Sequence, residues 1–223
     1  MPTINVNRQG TATGTVSSNF NSARTSAAAS VNDGDTSSST HVQYFHSAGR
    51  GGLTKRFKRT FLHFNTSSIT GTLSAAHIDI DGGGASGDPN DTIMIKSTAF
   101  GGNGGSPLST SDFYSSLDYS TPYSTELTSW STGNNEYTLT AAALADIRSN
   151  NNFTLAIIEH DSDYANSDQA NVSDISINLG ATITLDYTLA PLAYSNNVNG
   201  VASANIGEVI GVATANIEKV IGI

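Results

Sequence analysis

Glu159-His-Asp-Ser-Asp163 sets three carboxylates and an imidazole directly behind an apolar stretch, with Asp168 five residues further on. Oxygen donors at that density suit a calcium ion, and a carboxyl that kept its proton there would form one half of a general acid/base pair. The same composition is also that of a solvated strand end followed by Asx-rich turns. Asp161, Asp163 and Asp168 are therefore the candidate metal ligands, with calcium as the one cofactor they imply. Asp79-Ile-Asp81-Gly82, with Asp88 and Asp91 behind it, has the residues of a second calcium loop but not the spacing or the terminal Glu of an EF-hand, and a Gly-Asp turn is the simpler reading. The five histidines, at 41, 46, 63, 77 and 160, form neither HExxH nor an i,i+4 pair, so a hydrolytic zinc centre is not expected. Ser is abundant, yet no G-x-S-x-G elbow occurs, and Gly101–Gly105 lacks the Lys and Ser/Thr of a phosphate loop. No catalytic residue is assigned, and the chain is not expected to be an enzyme.

Two further groups of side chains suit recognition. Arg50, Lys55, Arg56, Lys58 and Arg59 hold half of the ten basic residues within ten positions of an acidic chain, as a docking patch for an acidic neighbour or as a charged edge strand would. Trp130 and Tyr123, with Tyr114 and Tyr119 nearby, fall in a loop-like region where aromatic faces could stack on sugar rings or simply pack the loop. Four Asn-x-Ser/Thr sequons begin at Asn65, Asn90, Asn152 and Asn171. They read as chance in an Asn- and Ser-rich chain, because the N-terminus shows neither the basic nor the apolar region of a secretory signal.

These side chains need a scaffold, and composition points to strands. The chain has 223 residues, of which 37% are hydrophobic and only 13% charged. Ser, Thr, Asn and Gly fill the difference, which favours short strands joined by turns over long helices. A formal charge of −9 repels nucleic-acid backbones and anionic membrane surfaces, so neither is an expected partner. Without cysteine, disulfides, thiolate metal sites and Cys nucleophiles are excluded.

Strand-length segments bounded by turn residues are Val42–Phe45, Phe57–Phe64, Ala75–Ile80, Ile93–Ala99, Phe153–His160, Ile175–Leu179 and Thr182–Thr188. In the third, Ala76, Ile78 and Ile80 take one face while His77 and Asp79 take the other. Asp81–Asp91 and Gly101–Pro107 read as turns, and Thr140 is placed to cap a short helix over Ala141–Arg148. The expected architecture is all-β: an antiparallel, jelly-roll-like β-sandwich over residues 41–190 with one short helix. Residues 1–40 are an arm or loosely patterned first strands, with β-favouring patches at Thr11–Val16 and Ala27–Val31.

Residues 191–223 differ in kind. Gly200–Ile210 is followed at once by Gly211–Ile221, an eleven-residue repeat with eight identical positions. Val201, Ile206, Val209 and Ile210, with Val212, Ile217, Val220 and Ile221, are too few to bury themselves within one unit, so stacking or a partner must cover them. The repeat is the candidate assembly element, and a homo-oligomer is the expected state.

Arg59-Thr-Phe-Leu-His-Phe-Asn65, then Thr66-Ser-Ser-Ile69 and Ala75-Ala-His-Ile-Asp-Ile80, resembles the opening strands of DNRLRE-type β-sandwich modules, with Asn65 where that pattern usually has Asp. Tyr137–Ile147 and Phe153–Asp161 are similar to a later part of such modules in tailed-phage structural proteins, and the tail resembles repeats at the ends of phage particle proteins. The resemblance implies a virion component of the head-decoration or tail/fibre class, in contact with other virion proteins and copies of itself. A second reading, drawn from the aromatic residues, is a glycan-binding module or adhesin for cell-surface polysaccharide.

Overall fold

A computed structural model describes residues 2–34, 40–50, 52–178 and 183–190, with two short strands at 208–209 and 212–213. The chain divides into two compact units, Met1–Thr188 and Leu189–Ile223. The first is all-β, mostly antiparallel and sandwich-like, as its strand-length alternation predicts.

Its elements, in order, are β1 (Thr3–Asn5), β2 (Arg8–Gly14), helix α1 (Phe20–Thr25), β3 (Ala28–Asp33), β4 (Thr40–Gly49), β5 (Gly52–Asn65), β6 (Leu73–Gly87), β7 (Thr92–Ser97), α2 (Asp112–Ser115), β8 (Leu117–Pro122), β9 (Gly133–Thr138), α3 (Ala141–Asn150), β10 (Asn152–Glu159), β11 (Ser173–Ile177) and β12 (Thr184–Leu189). The main path of neighbours is β1-β12-β6-β11-β4-β5-β10-β7-β8, with β2 joined to β5 and β3, and β9 joined to β6. Two long strands change partners along their length. β5 pairs with β4 over Gly52–Lys58, with β2 over Lys58–His63 and with β10 over Thr60–Asn65. β6 passes from β9, over His77–Gly82, to β11, over Gly82–Gly87.

Two cores result. The larger gathers Leu62 and Phe64 of β5, Ile78 and Ile80 of β6, Leu155 and Ile157 of β10, and Ile175, Ile177 and Leu185. The other face of the same central strands offers Phe57, Phe61, Ile93, Ile95, Ala156 and Ile158 to a second core, closed by Ala23 of α1, by Phe100 and Leu108, and by Phe113 of α2. Being covered on both faces, β10 reads Phe153–Ile158 as an almost unbroken apolar run. Close approach is built in at Gly14, where a Cβ would stand 2.6 Å from the Phe113 ring.

Of the two readings of residues 1–40 the first strands hold, since β2 and β3 overlap the patches at Thr11–Val16 and Ala27–Val31 and β2 pairs along β5. Two other expectations change. Asp81–Gly87 continues β6 rather than turning, since Gly82 lets the strand pass Ser131, whose carbonyl would lie 2.2 Å from any Cβ there. The region around Tyr114 and Tyr119 carries α2 and β8. Thr140 does cap α3, its hydroxyl accepting from Ala143 N at 3.4 Å, and the helix runs to Asn150 before Asn151 takes a left-handed φ of 55°. Leu179 and Thr182 lie outside the described residues.

Candidate functional site

The basic patch is split between the two faces of β5. Strand periodicity puts Lys55 and Arg59 in phase with Phe57 and Phe61, on the face that the second core covers. Arg59 is fully buried. Its Nε and Nη2 donate to the two Asp163 oxygens at 2.6 and 2.7 Å, Nη2 also donates to Arg24 O at 2.9 Å, and Nη1 donates to Phe113 O. The guanidinium carbon lies 4.0 Å from the centre of the Phe113 ring. Lys55, also buried, is bound to the Asp168 carboxylate, which accepts in addition from Tyr44 Oη at 3.1 Å. Neither cation can meet a neighbouring subunit, which corrects their place in a docking patch. Their burial follows from residues 17–28, 99–117 and 160–169 closing over β5. On the opposite face Arg56 and Lys58 are half-buried, Arg56 donating to Gln43 Oε1 at 2.9 Å and burial pulling the Lys58 ammonium pKa down. Only Arg50, in the turn between β4 and β5, is exposed.

The three candidate calcium ligands are not gathered. After β10 the chain makes a single π-turn, His160–Tyr164, which points Asp163 inward and leaves Asp161 partly in solvent. Asp163 is consumed by Arg59, by Arg24, whose Nε lies 3.3 Å away, and by Tyr119 Oη at 2.9 Å. Asp168 is consumed by Lys55. The turn is tied down by Glu159, whose carboxylate accepts from Asp161 N, Ser162 N and Asp163 N at 3.1, 2.7 and 2.9 Å. Glu159 is fully buried, and burial pushes its pKa up to about 7 despite those three donors.

Asp161 keeps different company. His160 Nδ1 lies 2.9 Å from Asp161 Oδ1 and 3.2 Å from Glu126 Oε1. Asp91 adjoins them, held by His160 N donating to its carbonyl and by the Thr92–Leu127 bridge. Burial, then the Asp161 and Glu126 carboxylates, push the Asp91 carboxyl pKa up.

Tyr123 is withdrawn as a sugar platform. It is 2% exposed, bonded through its hydroxyl to Asp146 and stacked on Phe153 at 4.9 Å. Trp130 is half-buried against the larger core, with Nε1 3.4 Å from Gly83 O, and Tyr114 and Tyr119 lie against Arg24 in the second core.

In the second unit, β13 (Glu208–Val209) pairs antiparallel with β14 (Val212–Ala213), Val209 opposite Val212, so the end of one repeat is paired with the start of the next. Val201, Ile206, Ile210, Ile217, Val220 and Ile221 lie outside the described residues.

The Arg59–Asp163 pair is the main feature that the sequence reading missed. Its signal was present: a charge in register with Phe57 and Phe61 on a strand whose two faces are both apolar requires a buried partner. No protein-family model matches the chain, and neither does any curated protein.

Proposed function

We propose that the protein is a structural component of a tailed-phage particle, of the head-decoration or tail/fibre class, that assembles through its C-terminal repeat with copies of itself and with other virion proteins. The observation that carries this reading is the eleven-residue duplication, which falls within the second compact unit, Leu189–Ile223, where a strand of one repeat pairs with a strand of the next. Such units have too little apolar area to stand alone and are completed by stacking. The resemblance of Tyr137–Ile147 and Phe153–Asp161 to modules in tailed-phage structural proteins, and of the tail to repeats in phage particle proteins, supports the same reading. The burial of Tyr123 removes one of the two residues on which a glycan-binding role rested.

Light-scattering mass of the full chain, and of a chain ending at Ala190, tests the proposal across a concentration series. A defined oligomer that falls to monomer on truncation is expected. A monomer at every concentration, with the truncated chain still incorporated into particles, overturns it.

A further inference from the structure

On the outer face of the sheet, where β6 lies between β9 and β12, four metal-ligating side chains converge. His77 Nε2 stands 3.3 Å from Asp79 Oδ2, 3.9 Å from Asp186 Oδ2 and 4.0 Å from Glu136 Oε2. Donor atoms of His77, Asp79 and Glu136 all lie within 4.8 Å of one another. Three adjacent strands thus supply one imidazole nitrogen and three carboxylates, and each ligand comes from rigid backbone.

Three observations go beyond the crowding of acids. The first is register: Asp79 pairs directly with Glu136 across β6 and β9. Like charges directly opposite one another destabilise a sheet, and a cation between the members of this pair relieves the repulsion. Among the described residues, the ion pairs of Lys and Arg go to Asp33, Asp146, Asp163 and Asp168, which leaves His77 alone to serve three carboxylates. The second is the outer support of the ligands. Asn134 Nδ2 donates to Asp79 Oδ1 at 2.9 Å and turns Oδ2 toward the imidazole, while Thr3 holds Asp186 Oδ1 from β1. Metal-binding carboxylates and histidines are oriented in this way by partners that do not touch the ion. The third is size: ligand atoms about 2.0–2.2 Å from a tetrahedral zinc ion lie about 3.3–3.6 Å apart, a range that holds the His77–Asp79 separation of 3.3 Å, while the 3.9 and 4.0 Å separations to Asp186 and Glu136 must shorten by a few tenths of an ångström.

We infer that His77, Asp79 and Glu136, with Asp186 as the fourth donor, form a binding site for a first-row divalent cation of the zinc class. One nitrogen with three oxygens suits zinc or manganese better than calcium, which takes oxygen alone. The bound ion fastens β9 and β12 to β6, so its role is structural.

The full chain, stripped with chelator, is titrated with zinc chloride in a calorimeter and its thermal transition followed. One equivalent is expected to bind, with a transition that rises as zinc is added. His77→Ala should abolish both effects, and Asp79→Asn should weaken binding at least tenfold. His160→Ala, in the separate Glu126–His160–Asp161 group, should leave zinc binding unchanged. Cobalt, in place of zinc, should give the visible absorption of a tetrahedral site in wild type and not in His77→Ala. Absence of binding up to millimolar zinc overturns the inference, as does binding that survives His77→Ala, binding lost in His160→Ala, or binding of calcium without zinc.

Discussion

Arg59 stands where an aliphatic side chain would serve the packing of β5, and its charge is tolerated only because every nitrogen of its guanidinium has an acceptor. Removing one partner of a buried pair strands the other, at a cost of about 3–5 kcal/mol. The two directions differ here. Arg59→Met leaves Asp163 its Arg24 and Tyr119 contacts, whereas Asp163→Ala strands the Arg59 guanidinium and takes the carboxylate from beside Arg24, whose Nε keeps only the backbone carbonyl of residue 163, at 2.8 Å. Urea denaturation should therefore rank Asp163→Ala as the more destabilising, and the reverse order would show that Arg24 gains nothing from Asp163. Glu159 gives the residue scale its pH signature. Its folded pKa, about 7, lies above the ordinary 4.5, so the folded state holds the proton more tightly. Stability from this group is complete below pH 4.5 and falls as pH rises to 7, by about 3 kcal/mol at most. The Asp168 and Asp174 carboxyls act oppositely, held below their usual range by Lys55 and, against the effect of burial, by His41, and they weaken the fold only in stronger acid. Between pH 5 and 7 the urea midpoint of wild type should fall relative to that of Glu159→Gln, the difference isolating Glu159 from His63 and Asp91, whose pKa values burial pulls down and pushes up, respectively.

At the scale of elements, what could be read in advance was what periodicity encodes. The alternation in Ala76–Ile80 and the cap at Thr140 are local, and the structure has both where the residues place them. Thr140→Ala should accordingly cost about 1 kcal/mol of stability, measured by chemical denaturation, as loss of an N-cap does. What could not be read depends on which surface covers a strand. Lys55 and Arg59 look like a charged edge until α1, α2 and the π-turn are laid over β5, and those covering pieces are short, polar and far apart in the chain, Arg24 and Asp163 by 139 positions. His77 and Asp79 were assigned correctly to the outer face of β6, yet their meeting with Glu136 depends on the β9 register, which no single segment carries. Gly82 and Gly83 look like part of a turn for a related reason, since a Gly run does not show whether its purpose is a turn or close approach. Gly82→Ala should push against Ser131 O, lowering the thermal transition by several degrees, while Gly84→Ala, with nothing within 4 Å of its Cβ, should leave it unchanged.

For the molecule as a whole, the division into Met1–Thr188 and Leu189–Ile223 separates two kinds of stability. Among the described residues, both cores are built from positions between 4 and 187. The large buried residues Tyr44, Phe57, Phe61, Phe64, Phe113 and Phe153 pack into these two clusters of described residues. Burial of this kind supplies most of the free energy of folding and does not vary with protein concentration. The repeat, in contrast, offers Val and Ile in units of eleven residues, too short to enclose them, and what such a unit gains depends on how many neighbours it meets. Domain stability should thus be independent of concentration and of the tail, while association should depend on both. Ending the chain at Ala190 should leave the urea midpoint and its slope unchanged within error at dilute concentration, the slope reporting the surface that the domain exposes on unfolding. At high concentration the full chain alone should gain stability, because linkage to an oligomer stabilises only the folded state that assembles. A midpoint that fell on truncation at every concentration would mean that residues 191–223 complete the domain rather than join it to another copy.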